Sequence, residues 1–160
     1  MLVTNVPRVL EEPGDITARG KMLVGANFAG AAIENSMLGA THALANPLTA
    51  RFDIPHGLAI GVMLPHVVRL NACVAGHWYG ELAGDINLCK SEDPEAGERL
   101  ADHLATLFTQ AGCPRSLKEW NVEEEALPSL AEMAAKQWTG QFNPRPVDST
   151  ILEELYRCAM

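Results

Sequence analysis

A chain of 160 residues with 48% hydrophobic residues is long enough to bury one core and too apolar to be disordered. Its net charge of −8 excludes a nucleic-acid-binding surface, which needs clustered Lys and Arg. The sequence contains no run of eighteen apolar residues that would predict a membrane span, and residues 1–15 do not resemble a signal peptide. With four widely spaced cysteines and no CxxC pair, the sequence predicts reduced thiols and a cytoplasmic protein.

The first half of the chain predicts one long helix. Residues 1–14 end in Glu-Glu-Pro-Gly and predict an extended lead-in, after which Asp15 is a good N-cap. The segment from Ile16 to about Ala45 has no proline, and Asn46-Pro47 is expected to end it. Four glycines lie inside this segment. Because glycine destabilises a helix interior, they indicate close packing and a buried central helix.

The second half predicts further helices and no convincing strand. A helix from about His56 to Cys73 is expected to kink at Pro65, and an amphipathic helix over 93–111 carries three leucines on one face. Shorter helices are expected near 77–88, 115–120, 122–138 and 148–158. The predicted fold class is therefore all-α, a bundle of about seven helices.

The histidines are the main candidates for chemistry, since common nucleotide-binding and hydrolase motifs are absent. On the predicted long helix, Asn35, His42 and Asn46 would form a polar stripe. A helical hairpin could bring His42 beside His56, and imidazoles are common ligands of Zn²⁺ and Fe²⁺. From the spacing alone, a satisfied core histidine and a helix cap explain the pair better than a metal site.

The stretch over residues 39–71, GATHALANPLTARFDIPHGLAIGVMLPHVVRLN, resembles the signature region of the iron-containing alcohol dehydrogenase family. Residues 18–43 resemble the helix that precedes it in the family, and residues 138–160 resemble the family's C-terminal end. The resemblance implies a C-terminal helical domain with a dehydroquinate synthase-like fold. It also implies that His42 and His56 are two of four ligands to Fe²⁺ or Zn²⁺, while NAD or NADP binds to a separate N-terminal α/β domain.

The chain departs from the family pattern in three respects. It has neither the Asp-x3-His helix that supplies the other two ligands nor the glycine-rich nucleotide loop. We therefore expect residues 1–160 to form a single metal and substrate domain that lacks the nucleotide-binding domain, binds metal weakly and is inactive alone. The resemblance also assigns a catalytic position to Asn46, where many members carry a His. An Asn there cannot shuttle a proton.

The remaining candidates have simpler explanations. By analogy, Ile33, Trp138 and Phe142 line the substrate pocket, although apolar residues on helices are usually core. The His66 side chain fits a hydrogen-bonded core histidine, and the NPRP segment with Asn143 fits a brace within a loop.

The predicted function is the helical part of a metal-dependent, NAD(P)-linked dehydrogenase of primary or secondary alcohols. Its predicted partner is a nucleotide-binding domain or subunit. Two alternatives remain open at this point. One is a non-catalytic domain that binds a metal or a protein partner, or forms a homo-oligomer through an apolar face. The other is a domain similar to maleylacetate reductase.

Overall fold

In a computed structural model that describes all 160 residues, the chain forms seven α-helices and three short 3-10 helices, with no strand. This confirms the all-α prediction. The α-helices are α1 Leu2–Glu11, α2 Ile16–Ser36, α3 Ala40–Phe52, α4 His56–Asp85, α5 Ala96–Gln110, α6 Leu127–Ala135 and α7 Ser149–Cys158. The 3-10 helices are Leu117–Trp120, Glu124–Ala126 and Trp138–Phe142.

The core lies where α3, α4, α6 and α7 meet, and α5 packs along the other side of α4. Its largest fully buried side chains include Leu44, Leu48, Leu127, Leu130 and Tyr156. These residues recur at intervals of three or four within their helices, so each helix presents one apolar stripe to the centre. The helix that carries His42 is therefore fixed by the main core.

Helix α4 is the one helix long and apolar enough to cross a membrane, with a mean hydropathy of 1.6 in its most apolar window. It lies between α3 and α5 in the packed bundle, and 44% of that window is buried. The core helix of a globular domain has this composition, so α4 is weak grounds for a membrane span.

The prediction that residues 56–88 form two helices was wrong, because α4 continues to Asp85. Its second half packs tightly against the segment that leads into α5. A Cβ atom at Gly80 would stand 2.1 Å from the backbone oxygen of Ser91. This close packing supports the helix through a stretch in which its glycines weaken it.

The prediction of an extended lead-in over residues 1–14 was also wrong, since α1 occupies most of these residues and forms a hairpin with α2. Leu2 packs where Gly25 of α2 has no side chain. At the turn, the Arg8 side chain pairs with Asp15, the N-cap of α2. The N-cap prediction for Asp15 is confirmed, because its carboxylate accepts a hydrogen bond from the Ala18 N–H at 2.9 Å.

The single helix predicted from Ile16 to Ala45 is divided between α2 and α3. Met37 has a positive φ of 67°, and Gly39 is extended where α3 begins. A Cβ atom at Gly39 would stand 3.2 Å from the Asn143 Oδ1 atom, so a close tertiary contact accompanies the break. The expected stop at Asn46-Pro47 was wrong too, since Pro47 lies inside α3.

Candidate metal site

The two imidazoles that the sequence singles out lie next to each other. His42 is in the first turn of α3, and His56 is the first residue of α4. Because α3 rises about 15 Å from His42 to Phe52, the chain has to return over residues 53–55. The left-handed conformation of Asp53, with φ 55°, reverses the chain at this point. The ring centroids of His42 and His56 are 5.4 Å apart, and the ring planes are tilted by 48°.

This separation suits a shared metal ion. Two imidazoles on one tetrahedral ion, with metal–nitrogen distances of about 2.1 Å, hold their ring centroids about 5 Å apart. Burial, and then the charge of His56, lower the pKa of His42. His42 is therefore held as the neutral imidazole, which is the form that binds metals. The metal role of the pair stays a prediction.

The pair provides only part of a coordination shell. No group of three or more His, Cys, Asp or Glu side chains in the chain could hold a metal ion together. His42 is half-buried, whereas His56 is exposed. The ring of His56 is thus accessible to ligands from outside this chain. The residues present fit two positions of a four-ligand site.

A buried pair of asparagines holds the beginning of α3. The side chains of Asn71 and Asn143 exchange hydrogen bonds of 3.0 and 2.8 Å. The Oδ1 atom of Asn143 also accepts from the Ala40 N–H, in the turn that carries His42, at 3.3 Å. Its amide donates to the Arg145 carbonyl oxygen at 2.7 Å. Asn143 therefore connects the loop after Trp138–Phe142 to both α3 and α4, which is more than the predicted loop brace.

Asn46, the predicted catalytic position, is part-buried and donates a 2.9 Å hydrogen bond to the Gln137 Oε1 atom. Sequence reasoning missed Gln137, which had no motif to mark it. The predicted stripe of Asn35, His42 and Asn46 was wrong, because the break after Met37 places Asn35 on α2. There its amide donates to the Ala31 carbonyl of its own helix.

The three predicted pocket residues come from two separate parts of the chain. Trp138 and Phe142 form an edge-to-face pair with ring centroids 5.8 Å apart, and both are exposed. Gln137 precedes Trp138, so its bond to Asn46 attaches this aromatic pair to α3. Ile33 is exposed near the end of α2, where its carbonyl accepts from Met37. Their role in substrate binding remains a prediction.

His66 lies outside this site, in a groove of about 600 Å³ between α4 and α5. It is half-buried, and burial followed by the charge of Arg69 lowers its pKa below the ordinary value of 6.5. As the pH falls below 6.5, the unfolded chain takes up a proton that the folded chain resists. The contribution of His66 to the free energy of unfolding therefore falls as the solution becomes more acidic.

We expect His66→Gln to reduce this acid sensitivity. The loss of unfolding free energy between about pH 7 and pH 5.5 should be smaller in the variant than in the native chain. Urea unfolding at the two pH values measures the difference. His77→Gln is the control because His77 is exposed. Equal acid sensitivity in the native chain and in His66→Gln would contradict the expectation.

The whole chain, residues 1–160, matches the family described as Fe-containing alcohol dehydrogenase family, C-terminal. The chain belongs to this family. It is 30% identical to 1,3-propanediol dehydrogenase of Citrobacter freundii over 99% of this chain and 42% of that enzyme. It is 34% identical to lactaldehyde reductase of Escherichia coli over 91% of this chain and 39% of that enzyme.

The comparison with solved structures agrees with this family assignment. A crystal structure of 1,3-propanediol oxidoreductase superposes with a TM-score of 0.92 at 28% identity, covering 99% of this chain and 42% of that one. Maleylacetate reductase from a Rhizobium strain superposes less closely, with a TM-score of 0.67 at 27% identity and the same two coverages. This chain thus spans less than half the length of the relatives it matches.

Proposed function

We propose that this chain is the metal and substrate domain of an NAD(P)-linked dehydrogenase that interconverts a primary or secondary alcohol and its carbonyl compound. The observation that carries the proposal is the 5.4 Å separation of the His42 and His56 rings, in a chain that belongs to the iron-containing alcohol dehydrogenase family. NAD or NADP would bind to a nucleotide-binding domain that residues 1–160 do not supply.

In this proposal, His42 and His56 hold Fe²⁺ or Zn²⁺ together with ligands from outside the chain. The bound metal would supply Lewis-acid polarisation of the alcohol oxygen. Asn46 donates to Gln137, which leaves its carbonyl oxygen to accept a hydrogen bond from a hydroxyl group. Because an amide does not titrate near neutral pH, Asn46 would orient a hydroxyl and would not transfer a proton. The exposed rings of Trp138 and Phe142 would shield the substrate's carbon chain from water.

A further observation supports the proposal over one of its alternatives. The likeness to 1,3-propanediol oxidoreductase is closer than the likeness to maleylacetate reductase, which favours an alcohol substrate. A non-catalytic, metal-binding domain remains the second candidate, because two histidines suffice for weak binding.

Metal binding by the isolated chain is the first test. We expect weak binding of Zn²⁺ or Co²⁺ that His42→Ala and His56→Ala each reduce by more than about tenfold, since even outer-shell partners of metal ligands contribute that much. Calorimetric titration, and the absorption spectrum of bound Co²⁺, measure the effect. His77→Ala is the matched control on an exposed histidine. Equal affinity in all four proteins would contradict the site.

Reconstitution is the test that separates an enzyme from a metal-binding domain. The chain is mixed with Fe²⁺ or Zn²⁺, a primary alcohol, NAD or NADP, and a separately produced nucleotide-binding domain of a family member. Alcohol-dependent formation of NAD(P)H, abolished by His56→Ala, is the expected result. Metal binding at His42 and His56 without any such formation would favour the non-catalytic alternative.

A further inference from the structure

Gln137 lies between α6 and the 3-10 helix Trp138–Phe142, and its backbone is held from both sides. Its N–H donates to the Ala134 carbonyl oxygen at 3.0 Å, and its own carbonyl oxygen accepts from the Gly140 N–H at 3.1 Å. The backbone of Gln137 is extended, with φ −75° and ψ 119°. The side chain of Gln137 therefore starts from a well-defined position.

The side chain of Gln137 does not serve the helix that it precedes. Gln137 is the N-cap of the 3-10 helix, yet its side chain makes no capping hydrogen bond. Caps are normally formed by shorter polar side chains such as Ser, Thr, Asp and Asn. The Gln137 side chain reaches α3, where its Oε1 atom accepts the 2.9 Å hydrogen bond from the Asn46 amide, 91 positions away. This contact indicates that the role of Gln137 lies at Asn46.

The 3-10 helix has other contacts that hold it against α3. A Cβ atom at Gly140 would stand 3.6 Å from the Ala43 Cβ atom, which is an ordinary van der Waals contact. Thr139 is only 3% exposed. The two backbone hydrogen bonds of Gln137 do not involve its side chain. Loss of the Gln137 side chain should therefore leave the segment in place and change mainly the surroundings of Asn46.

Asn46 is placed beside the candidate metal site. It follows His42 by four positions on α3, so the two side chains lie on the same face of the helix, one turn apart. Asn46 and Gln137 are both part-buried. Water therefore competes for the hydrogen bond between them less than it would on an open surface.

The bond to Gln137 decides which atom of the Asn46 amide remains available. An asparagine side chain ends in an acceptor oxygen and a donor NH₂ group, and half a turn of the amide exchanges their positions. When Gln137 engages the NH₂ group, the Oδ1 atom of Asn46 is left to accept. The hydroxyl group of an alcohol can donate to this oxygen. The oxygen of a carbonyl compound has no proton to donate and would meet the lone pairs of Oδ1.

We propose that Gln137 is a positioning residue that fixes the orientation of the Asn46 amide and thereby makes the site bind an alcohol in preference to the corresponding carbonyl compound. This inference rests on the proposed dehydrogenase function, because it places the substrate oxygen beside Asn46. The net stabilisation of one neutral hydrogen bond makes the orientation with Oδ1 available about fivefold more populated than its reverse. The preference for the alcohol is expected to be about as large.

Exchange of the Asn46 side-chain amide protons with solvent tests the orientation in the chain alone. Gln137→Leu and Gln137→Ala both remove the acceptor and should speed this exchange about fivefold, measured by NMR on isotope-labelled protein. Gln137→Glu keeps an acceptor for the Asn46 amide and should restore slow exchange. Gln141→Leu is the matched control, since Gln141 is exposed in the same 3-10 helix. Equal exchange rates in the native chain and in both acceptor-free variants would overturn the proposal.

The enzyme reconstituted with a nucleotide-binding domain tests the preference itself, with 2-propanol and acetone as the matched alcohol and ketone. In Gln137→Leu, the ratio of the KM for 2-propanol to the KM for acetone should rise about fivefold, and Gln137→Glu should restore the native ratio. A merely structural effect would raise both constants together and leave their ratio unchanged.

Two outcomes of this second test would overturn the proposal, and they differ in what else they exclude. An active native enzyme whose KM ratio is unchanged in Gln137→Leu would remove the role of Gln137 and leave the dehydrogenase proposal standing. A native enzyme that forms no NAD(P)H with 2-propanol or any primary alcohol would contradict the dehydrogenase proposal itself, and the role of Gln137 with it.

Discussion

Asn143→Ala is expected to lower the free energy of unfolding by about 3 kcal/mol, because it leaves several buried polar groups without partners. The groups that lose a hydrogen bond are the amide of Asn71, the Ala40 N–H and the Arg145 carbonyl. Asn71 and Asn143 are 3% and 8% exposed, so water cannot replace the lost bonds without rearrangement. Chemical unfolding monitored by circular dichroism gives the free energy.

A double-mutant cycle separates the network from the individual side chains. Asn71→Ala should cost a similar amount, and the double variant should cost clearly less than the two single effects added together, because the two residues share their bonds. Asn35→Ala is the control and should change the free energy by less than about 0.5 kcal/mol, since Asn35 is exposed. Additive losses would show that the asparagines act independently. That result would contradict a joint clamp on the first turn of α3.

Tyr156→Ala is expected to cost about 4 kcal/mol, in the range for emptying a large aromatic site in a core. Tyr156 is fully buried, and its hydroxyl donates a 2.6 Å hydrogen bond to the Leu44 carbonyl oxygen on α3. Tyr156→Phe keeps the ring and removes only this bond, so it should cost about 1 kcal/mol. The difference between the two variants measures the packing of the ring separately from its hydrogen bond.

The control for Tyr156 is Trp78→Ala, which removes a larger side chain that is 54% exposed and should have a small effect. Equal losses in Tyr156→Phe and Tyr156→Ala would contradict the assignment of most of the free energy to packing. Burial also raises the pKa of Tyr156. The stabilisation that buried, neutral Tyr156 adds to the free energy of unfolding is therefore fully present below the ordinary tyrosine pKa of about 10. It should be lost as the pH rises above that value.

The sequence was sufficient to predict the helices whose ends are set by local chemistry. The final helix, α7, begins after Asp148, whose carboxylate accepts from the Ile151 N–H at 2.9 Å, close to the predicted start. The break between α2 and α3 could not be read in this way. Gly39 looks like any other glycine of that segment, and the contact that accompanies the break comes from Asn143, about a hundred positions away.

The candidate site also has features that the sequence predicts and features that depend on distant contacts. A resemblance to the family selected His42 and His56, and the structure places their rings together. The reason lies in the left-handed turn at Asp53, which a lone Asp before Ile-Pro does not predict. The bond from Asn46 to Gln137 joins positions 91 residues apart, and no spacing rule connects them. The spacing of apolar residues thus predicts which face of a helix is buried. It does not predict which distant segments contact each other, and these contacts are known only from the structure.

Two of the hydrogen bonds that hold α3 in place come from residues near the C-terminal end of the chain. Asn143 bonds to Ala40 across 103 positions, and Tyr156 bonds to Leu44 across 112. During synthesis from the N-terminus, His42 and His56 leave the ribosome long before the residues that fix their helix. Closing loops of this length is entropically costly and slow compared with forming a helix. We therefore expect the histidine pair to reach its final geometry late in folding, so that a metal ion would be taken up by a nearly folded protein and would not guide its collapse.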